Sequence, residues 1–418
     1  IERRVRGAAR STTRRWSRGL ARPKRALFLS SPIGLGHGRR DLAIADELRR
    51  LVPDLSVEWL TQHPVSALLE ARGEQVHPAS GHLVSESAHL ESECGEHDLH
   101  AFQALRTMDE VLVANFHVFD DLLEEEQFDL VVADEAWDVD HFLHENPELK
   151  RSPLVWLTDF VGSVPMAAGG EREAYLTADY NAEMLEHVER FGWLRDRSIF
   201  VGDPDDVVPL DFGPGLPSIR AWTNEHFDFA GYVSGFTPPD RDEARATLGW
   251  QDGEPVCVVT VGGSGVGGAL LRRVLDAVPA ARRAIDGLRV VIVTGPRLDP
   301  ASIPATAGVE VHGFLPDLPR WLAGCDLAMV QGGLTTCMEL VASQVPFVYF
   351  PLANHFEQQV HVRHRLDRYG AGRCLQYADS PPDLIGQAMV EEVGRRVEYR
   401  PVSTDGAARS ARLIAELL

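Results

Sequence analysis

Asp326 to Gln359 reads DLAMVQGGLTTCMELVASQVPFVYFPLANHFEQQ, and the order of its parts decides the fold. A short apolar run, Leu327 to Val330, meets two glycines, and a helix begins within that turn. A second apolar run, Phe347 to Phe350, follows and ends in a dense set of polar side chains. Strand, glycine turn, helix and strand make the repeating unit of a parallel sheet, whose ligands bind at the carboxyl ends of the strands. Gln331, Gly333, Thr335 and Thr336 fall at such an end. Glycine lets the backbone approach a ligand, and the free N–H groups of a helix start attract negative charge, so the turn reads as a phosphate cradle. Glu339, about one turn on, can accept two hydrogen bonds from a ribose diol. Asn354, Glu357, Gln358 and Gln359 offer amides and a carboxylate to the hydroxyls of a sugar. Taken alone, the same residues also suit a helix N-cap and a surface carboxylate.

The alternation extends outward over nearly the whole chain. Strands are predicted at Ala26 to Ser31, Ser56 to Leu60, Asp129 to Ala133, Leu154 to Thr158, Pro255 to Val261 and Leu288 to Val293, with helices such as Arg39 to Leu51 and Leu270 to Ala284 between them. A chain of 418 residues is too long for one ordinary core and suits two α/β domains. The segment GYVSGFTPPD, residues 231–240, continues neither element type and reads as the linker. It separates a domain over 26–230 from one over 241–404, and 405–418 reads as a closing amphipathic helix. Residues 80–100 form a polar insertion rich in His and Glu, of the kind that lines a variable binding face or is mobile.

Composition narrows the function. The net charge of −21 argues against nucleic acid as a partner, and the apolar content of 44% excludes a disordered chain. Residues 1–25 carry nine arginines, one lysine and one acid, a net +9; they read as a disordered leader, with a targeting or peripheral anionic-surface role as the alternative. The five cysteines show no CxxC pair, so no disulfide framework or zinc site is legible and a cytoplasmic setting is expected. No apolar run is long enough to span a bilayer.

Two further glycine turns follow strands: Pro32 to Gly38, containing Gly36 and His37, and Gly262 to Gly265, containing Gly263 and Ser264. Neither has the spacing of a dinucleotide fingerprint, and Leu60, Thr61, Gln62 stand where a ribose-binding acid would be expected, which disfavours a nicotinamide-dependent oxidoreductase.

The run from Gly313 to Leu366 resembles the donor-binding signature of GT-B glycosyltransferases. It is similar both to the family 1 enzymes that glycosylate small molecules and to the family 28 group containing the peptidoglycan N-acetylglucosaminyltransferase. The register Gly-Gly-x-x-Thr-x-x-Glu, then Val-Pro, Pro and Gln-Gln carries the likeness, and GLGHGRRDLAIADEL resembles the family's opening motif. The resemblance implies two Rossmann-like domains facing a cleft. The C-terminal one would bind a UDP- or TDP-sugar and the N-terminal one a hydroxyl acceptor. It implies Phe314 and Leu315 against the nucleobase, and Gly263, Ser264, Gly333, Thr335 and Thr336 on the diphosphate. Glu339 would hold the ribose, with Asn354, Glu357, Gln358 and Gln359 facing the sugar. Three departures stand out: Gln331 replaces a phosphate-contacting histidine, Arg40 replaces a proline, and His361 or Val362 occupies a position where asparagine is common.

Transfer to a hydroxyl needs a base near neutrality, and of 16 histidines His37 is the one set on a glycine turn at a strand end. His355 is the alternative. Asp134, ending its strand, resembles the aspartate that orients such a histidine, with Glu135, Asp138 and Asp159 as rivals. Asp138, Val139, Asp140 spells DxD, but the helix-start cradle can neutralise a diphosphate without a cation, so no metal and no cofactor beyond the donor is expected. The expectation is an inverting glycosyltransferase. A sugar-nucleotide epimerase or a non-catalytic nucleotide-binding protein of the same fold are its competitors.

Overall fold

The computed structural model describes residues 22–235, 238–263 and 265–418. The expected disorder of the leader up to residue 21, the middle of the linker at 236–237 and the diphosphate role of Ser264 lie outside the described residues.

Two parallel sheets form the molecule. The first contains β1 (Lys24–Ser30), β2 (Leu55–Leu60), β3 (Gln75–Val76), β4 (Leu130–Asp134), β5 (Leu154–Thr158), β6 (Arg197–Phe200) and β7 (Asp228–Phe229), in the order β3-β2-β1-β4-β5-β6-β7. The second contains β8 (Val256–Thr260), β9 (Arg289–Val293), β10 (Val309–His312), β11 (Leu327–Val330), β12 (Phe347–Tyr349) and β13 (Arg373–Cys374), in the order β10-β9-β8-β11-β12-β13. This is the two-domain GT-B architecture. In each sheet the strand order reverses beside the first strand, between β1 and β4 and between β8 and β11, and such reversals open a crevice at the carboxyl ends.

Burial on both faces explains the near-continuous apolar strands. Successive side chains alternate between two cores: Ala26 and Phe28 enter one layer and Leu27 and Leu29 the other, as do Val256 and Val258 against Cys257 and Val259. The helix expected from Arg39 starts earlier. Helix α1 (Leu35–Leu51) begins inside the glycine turn, so Gly36 and His37 belong to its first turn.

The insertion is ordered. Helix α2 (Glu86–Glu93) and the residues after it run across to the C-terminal domain. Leu99 N donates to Ala353 O and Ala353 N to His97 O, both at 3.1 Å. The buried His97 ring lies 3.0 Å from Phe350 O and packs on Tyr377, while Tyr377 donates to Glu96 at 2.6 Å. On the opposite side, the buried Arg365 guanidinium donates to Val201 O and Asp159 O at 3.0 Å each, and Arg368 pairs with Asp206 at 2.6 Å. The two seams hold the domains together around the cleft. Helix α3 (Leu334–Ala342) opens at the end of β11, and helix α4 (Gly406–Ala415) ends the chain. Ala407, Ala411 and Ile414 of α4 lie in the same core layer as Phe28 and Trp59, so the closing helix completes the N-terminal domain.

Candidate active site

A cleft opens between the carboxyl ends of the two sheets. Its C-terminal wall is built on glycine turns. Gly262 and Gly263 follow β8, and Gln331 to Gly333 follow β11 and lead into α3 with Gly333 as an extended N-cap. No side chain caps that helix start, so its first N–H groups remain open for a ligand. Thr335 and Thr336 stand on its first turn and line the cleft. Thr260 Oγ1, Gln331 Oε1 and His355 Nδ1 are buried there without a hydrogen-bond partner among the described residues. Unsatisfied buried polar atoms converging on a hollow mark the place of a polar ligand. Phe314, 38% exposed, and Leu315 form the rim.

The opposing wall is charged. Pairing of Ser30 with Asp134 brings the ends of β1 and β4 side by side, so the first turn of α1 faces the end of β4. His37 and Arg40, three residues apart on α1, share one face. His37 Nδ1 lies 3.0 Å from Asp134 Oδ2 and 2.9 Å from Arg40 Nη2. Arg40 Nε donates to Asp134 Oδ2 at 2.8 Å, Nη2 donates to its other oxygen, and Nη1 donates to Asp159. Both Asp134 oxygens are thereby occupied by a guanidinium that is itself buried. On the far side of the ring, Glu135 Oε2 lies 3.9 Å from His37 Nε2. Glu135 takes a left-handed conformation with φ of +50°, a cost of ~1–2 kcal/mol that the surrounding packing sustains.

These neighbours reset the proton affinities. Burial and the Arg40 guanidinium disfavour the charged form of His37, but Asp134 and Glu135 together outweigh them and push the ring up to about 9. Asp134 resists its own burial because Arg40 and His37 hold it well below the usual carboxylate range. Burial and then Asp159 push Glu135 up to about 7. Glu357, carried on a wide π-type turn (Glu357–Val362) of the kind that recurs at functional sites, is pushed up to about 8 by burial, with Asp159 and Glu135 adding to it. Burial pulls His355 down to about 4, which makes it a poor base near neutrality.

Of the expected site residues, Gly36, His37, Gly263, Phe314, Leu315, Gln331, Gly333, Thr335, Thr336, Glu357 and Gln358 all line the cleft. Gln358 Oε1 accepts from Leu352 N at 2.9 Å. Asp134, fully buried, stands behind His37. Three others face elsewhere. Glu339 is buried 3.4 Å from Arg39 Nη1 and its proton affinity is raised by burial. Asn354 donates to both Asp98 oxygens, at 2.9 and 3.1 Å, and Gln359 donates to Leu352 O and exchanges bonds with Gln376. None of the three is among the residues lining the cleft. The DxD triplet does not act together: Asp140 pairs with Arg195, while Asp138 is pushed up to about 6 by burial.

Sequence reasoning did not find Arg40 as a site residue, although its i,i+3 spacing from His37 on an α-helix carried the signal. It also missed an apolar wall in which Trp137, Phe160 and Phe356 pack with centroids 5.7 to 5.8 Å apart, beside Leu90, Leu99 and Leu105.

Residues 256–417 match the glycosyltransferase family 28 C-terminal domain. An uncharacterized glycosyltransferase of Methanopyrus kandleri is 27% identical over 43% of this chain and 50% of its own length. The UDP-N-acetylglucosamine–N-acetylmuramyl-(pentapeptide) pyrophosphoryl-undecaprenol N-acetylglucosamine transferase of Clavibacter sepedonicus is 30% identical over 42% of this chain and 49% of its own. The chain thus spans about half the length of these relatives. Among solved structures, a spinosyn rhamnosyltransferase complexed with thymidine diphosphate superposes with a TM-score of 0.56 over 94% of this chain and 95% of that one, at 16% identity.

Proposed function

We propose that this chain, with a GT-B fold and a family 28 C-terminal domain, is an inverting glycosyltransferase that moves a sugar from a UDP- or TDP-sugar to a hydroxyl acceptor. The observation that carries the reading is the uncapped start of α3, with Gly333, Thr335 and Thr336, opposite the titratable corner at His37 across one cleft. Helix-start amides and two hydroxyls neutralise a diphosphate without a buried counter-charge, and they gain strength as the leaving group's charge grows. Phe314 and Leu315 suit the flat face of a uracil or thymine base. The sugar then hangs toward Glu357, Gln358 and His37. The UDP-N-acetylglucosamine named for the Clavibacter relative and the thymidine diphosphate bound by the spinosyn enzyme support the same donor class.

The acceptor enters from the N-terminal side and meets the titratable corner around His37, where its proton is removed. The wall of Trp137, Phe160 and Phe356 suits a hydroxyl borne on an apolar skeleton, such as a natural product or a lipid-linked saccharide. No divalent metal is required in this reading. His37, Asp134 and Glu135 bring ligand atoms within 4.8 Å of one another, but the Arg40 guanidinium already supplies the positive charge there. Transfer should therefore run unchanged in EDTA, and strict dependence on added Mg²⁺ would contradict it.

A thermal-shift screen over nucleotide sugars tests the reading, because a ligand of the folded state stabilises by mass action. A UDP- or TDP-sugar should raise the melting temperature, and His37→Ala should keep that shift while losing transfer. Conversion of the donor to an isomeric nucleotide sugar without acceptor would identify an epimerase. Binding without turnover of any kind would identify a non-catalytic protein.

A further inference from the structure

The two carboxylates that flank His37 are not equivalent. Asp134, at Nδ1, receives Arg40 on both oxygens and is closed off from the cleft. Glu135, at Nε2, lines the cleft. Its Oε1 is fixed by Thr158 Oγ1 and by the Asp159 amide, both at 3.1 Å, which leaves Oε2 turned to the ring. The gap of 3.9 Å between Nε2 and Oε2 admits one oxygen within about 2.8 Å of each.

We propose that Glu135 is the catalytic base: the acceptor hydroxyl sits between His37 Nε2 and Glu135 Oε2 and gives its proton to Glu135. The proposal rests on the glycosyltransferase reading and deepens it. In the step, the hydroxyl oxygen forms a bond to the anomeric carbon while the bond from that carbon to the diphosphate oxygen breaks. The nucleoside diphosphate leaves with the electron pair. The O–H proton passes to Glu135, which becomes a neutral acid and returns the proton to solvent after product release.

The surroundings favour this base. Glu135 faces Asp159 beyond β5, Asp134 on its own strand, Glu357 from the C-terminal domain, and His37 and Arg40 from α1. With burial, the acids prevail and hold it at about 7, close to the working pH at which a base is most effective. Whether the ring is charged, as an affinity of about 9 favours, or neutral and accepting from Arg40 Nη2 at Nδ1, its Nε2 carries a proton; the unprotonated group facing the gap is then the Glu135 carboxylate, and Nε2 positions the acceptor oxygen.

The experiment compares wild type with Glu135→Gln and Glu135→Asp, using the nucleotide sugar that shifts the wild-type melting temperature and water as the acceptor. Donor binding is measured first; if none is found in wild type, the glycosyltransferase reading fails and not this assignment. With binding intact, Glu135→Gln should slow UDP or TDP release by about 10²–10⁴-fold, with partial recovery in Glu135→Asp. The pH limb near 7 should vanish. A protonated-carboxyl infrared band should disappear near pH 7 in wild type and be missing from Glu135→Gln, which reads the group without turnover. Wild-type release in Glu135→Gln, or an infrared spectrum identical in the two proteins from pH 5 to 9, would overturn the proposal.

Discussion

The two walls of the cleft are built alike and furnished oppositely. Each is a β-strand entering a glycine turn and a helix at the point where strand order reverses. The C-terminal wall offers glycines, threonines and a glutamine; the N-terminal wall holds His37, Arg40, Asp134, Glu135 and Asp159 in one hydrogen-bonded group. Under the proposed function, the difference follows from what each wall would meet. A diphosphate brings its own charge, and neutral donors on a helix start bind it without the cost of a buried, unpaired cation when the site is empty. A hydroxyl brings no charge, so a proton must be moved by groups whose affinities are tuned by their neighbours.

The sharpest way to break the contrast is to remove the cation of the charged wall. Arg40→Met leaves Asp134 and Asp159 buried without their partner, and should destabilise the protein by ~3–5 kcal/mol, read as a lower denaturant midpoint. An unchanged midpoint would mean that the corner is not held by ion pairing. Closure of the two walls on each other is tested next. A methyl on Gly36 overlaps the Thr335 side chain, so Gly36→Ala should cost ~1–3 kcal/mol and weaken donor binding, with partial recovery in Gly36→Ala/Thr335→Ala. Additive effects in that double-mutant cycle would show that the walls do not touch.

Two smaller effects sharpen the picture. Asp98→Ala removes the acceptor of both Asn354 bonds and should lower stability by ~1 kcal/mol while speeding amide exchange at Leu99 and Ala353. Unaltered exchange would contradict the role of this seam. His37 carries a raised proton affinity, so its contribution to stability is complete below about 6.5 and is lost as pH rises through about 9. The stability difference between wild type and His37→Asn should shrink across that window, and a flat difference would contradict the Asp134 pairing.

Much of this was legible before the structure. The alternation of short apolar runs with amphipathic stretches gives two parallel sheets because strands buried on both faces must be apolar throughout, and glycine turns mark the ligand edge for steric reasons that act locally. What the chain could not disclose depends on contacts distant in sequence. Leu90 and Leu99 show no period because residues 86–100 are ordered by the other domain, on the Ala353 backbone and the Tyr377 ring. Asn354 and Gln359 read as sugar contacts by residue type, yet Asp98 and Gln376 hold them. Glu339 likewise meets Arg39, 300 residues away. The amphipathic period of helix α4 was legible but its partner was not: Ala411 and Ile414 fill the first domain's core.

The central claim is that the neutral wall holds a diphosphate. Calorimetric titration of UDP and TDP against uridine and thymidine tests it most directly, in wild type and in Thr335→Val/Thr336→Val. A nucleoside diphosphate should bind at least ~10-fold more tightly than its nucleoside, as a charge-assisted hydrogen bond or two would give, and the variant should lose that advantage. Equal affinities in wild type, or an advantage that survives the double substitution, would contradict the account.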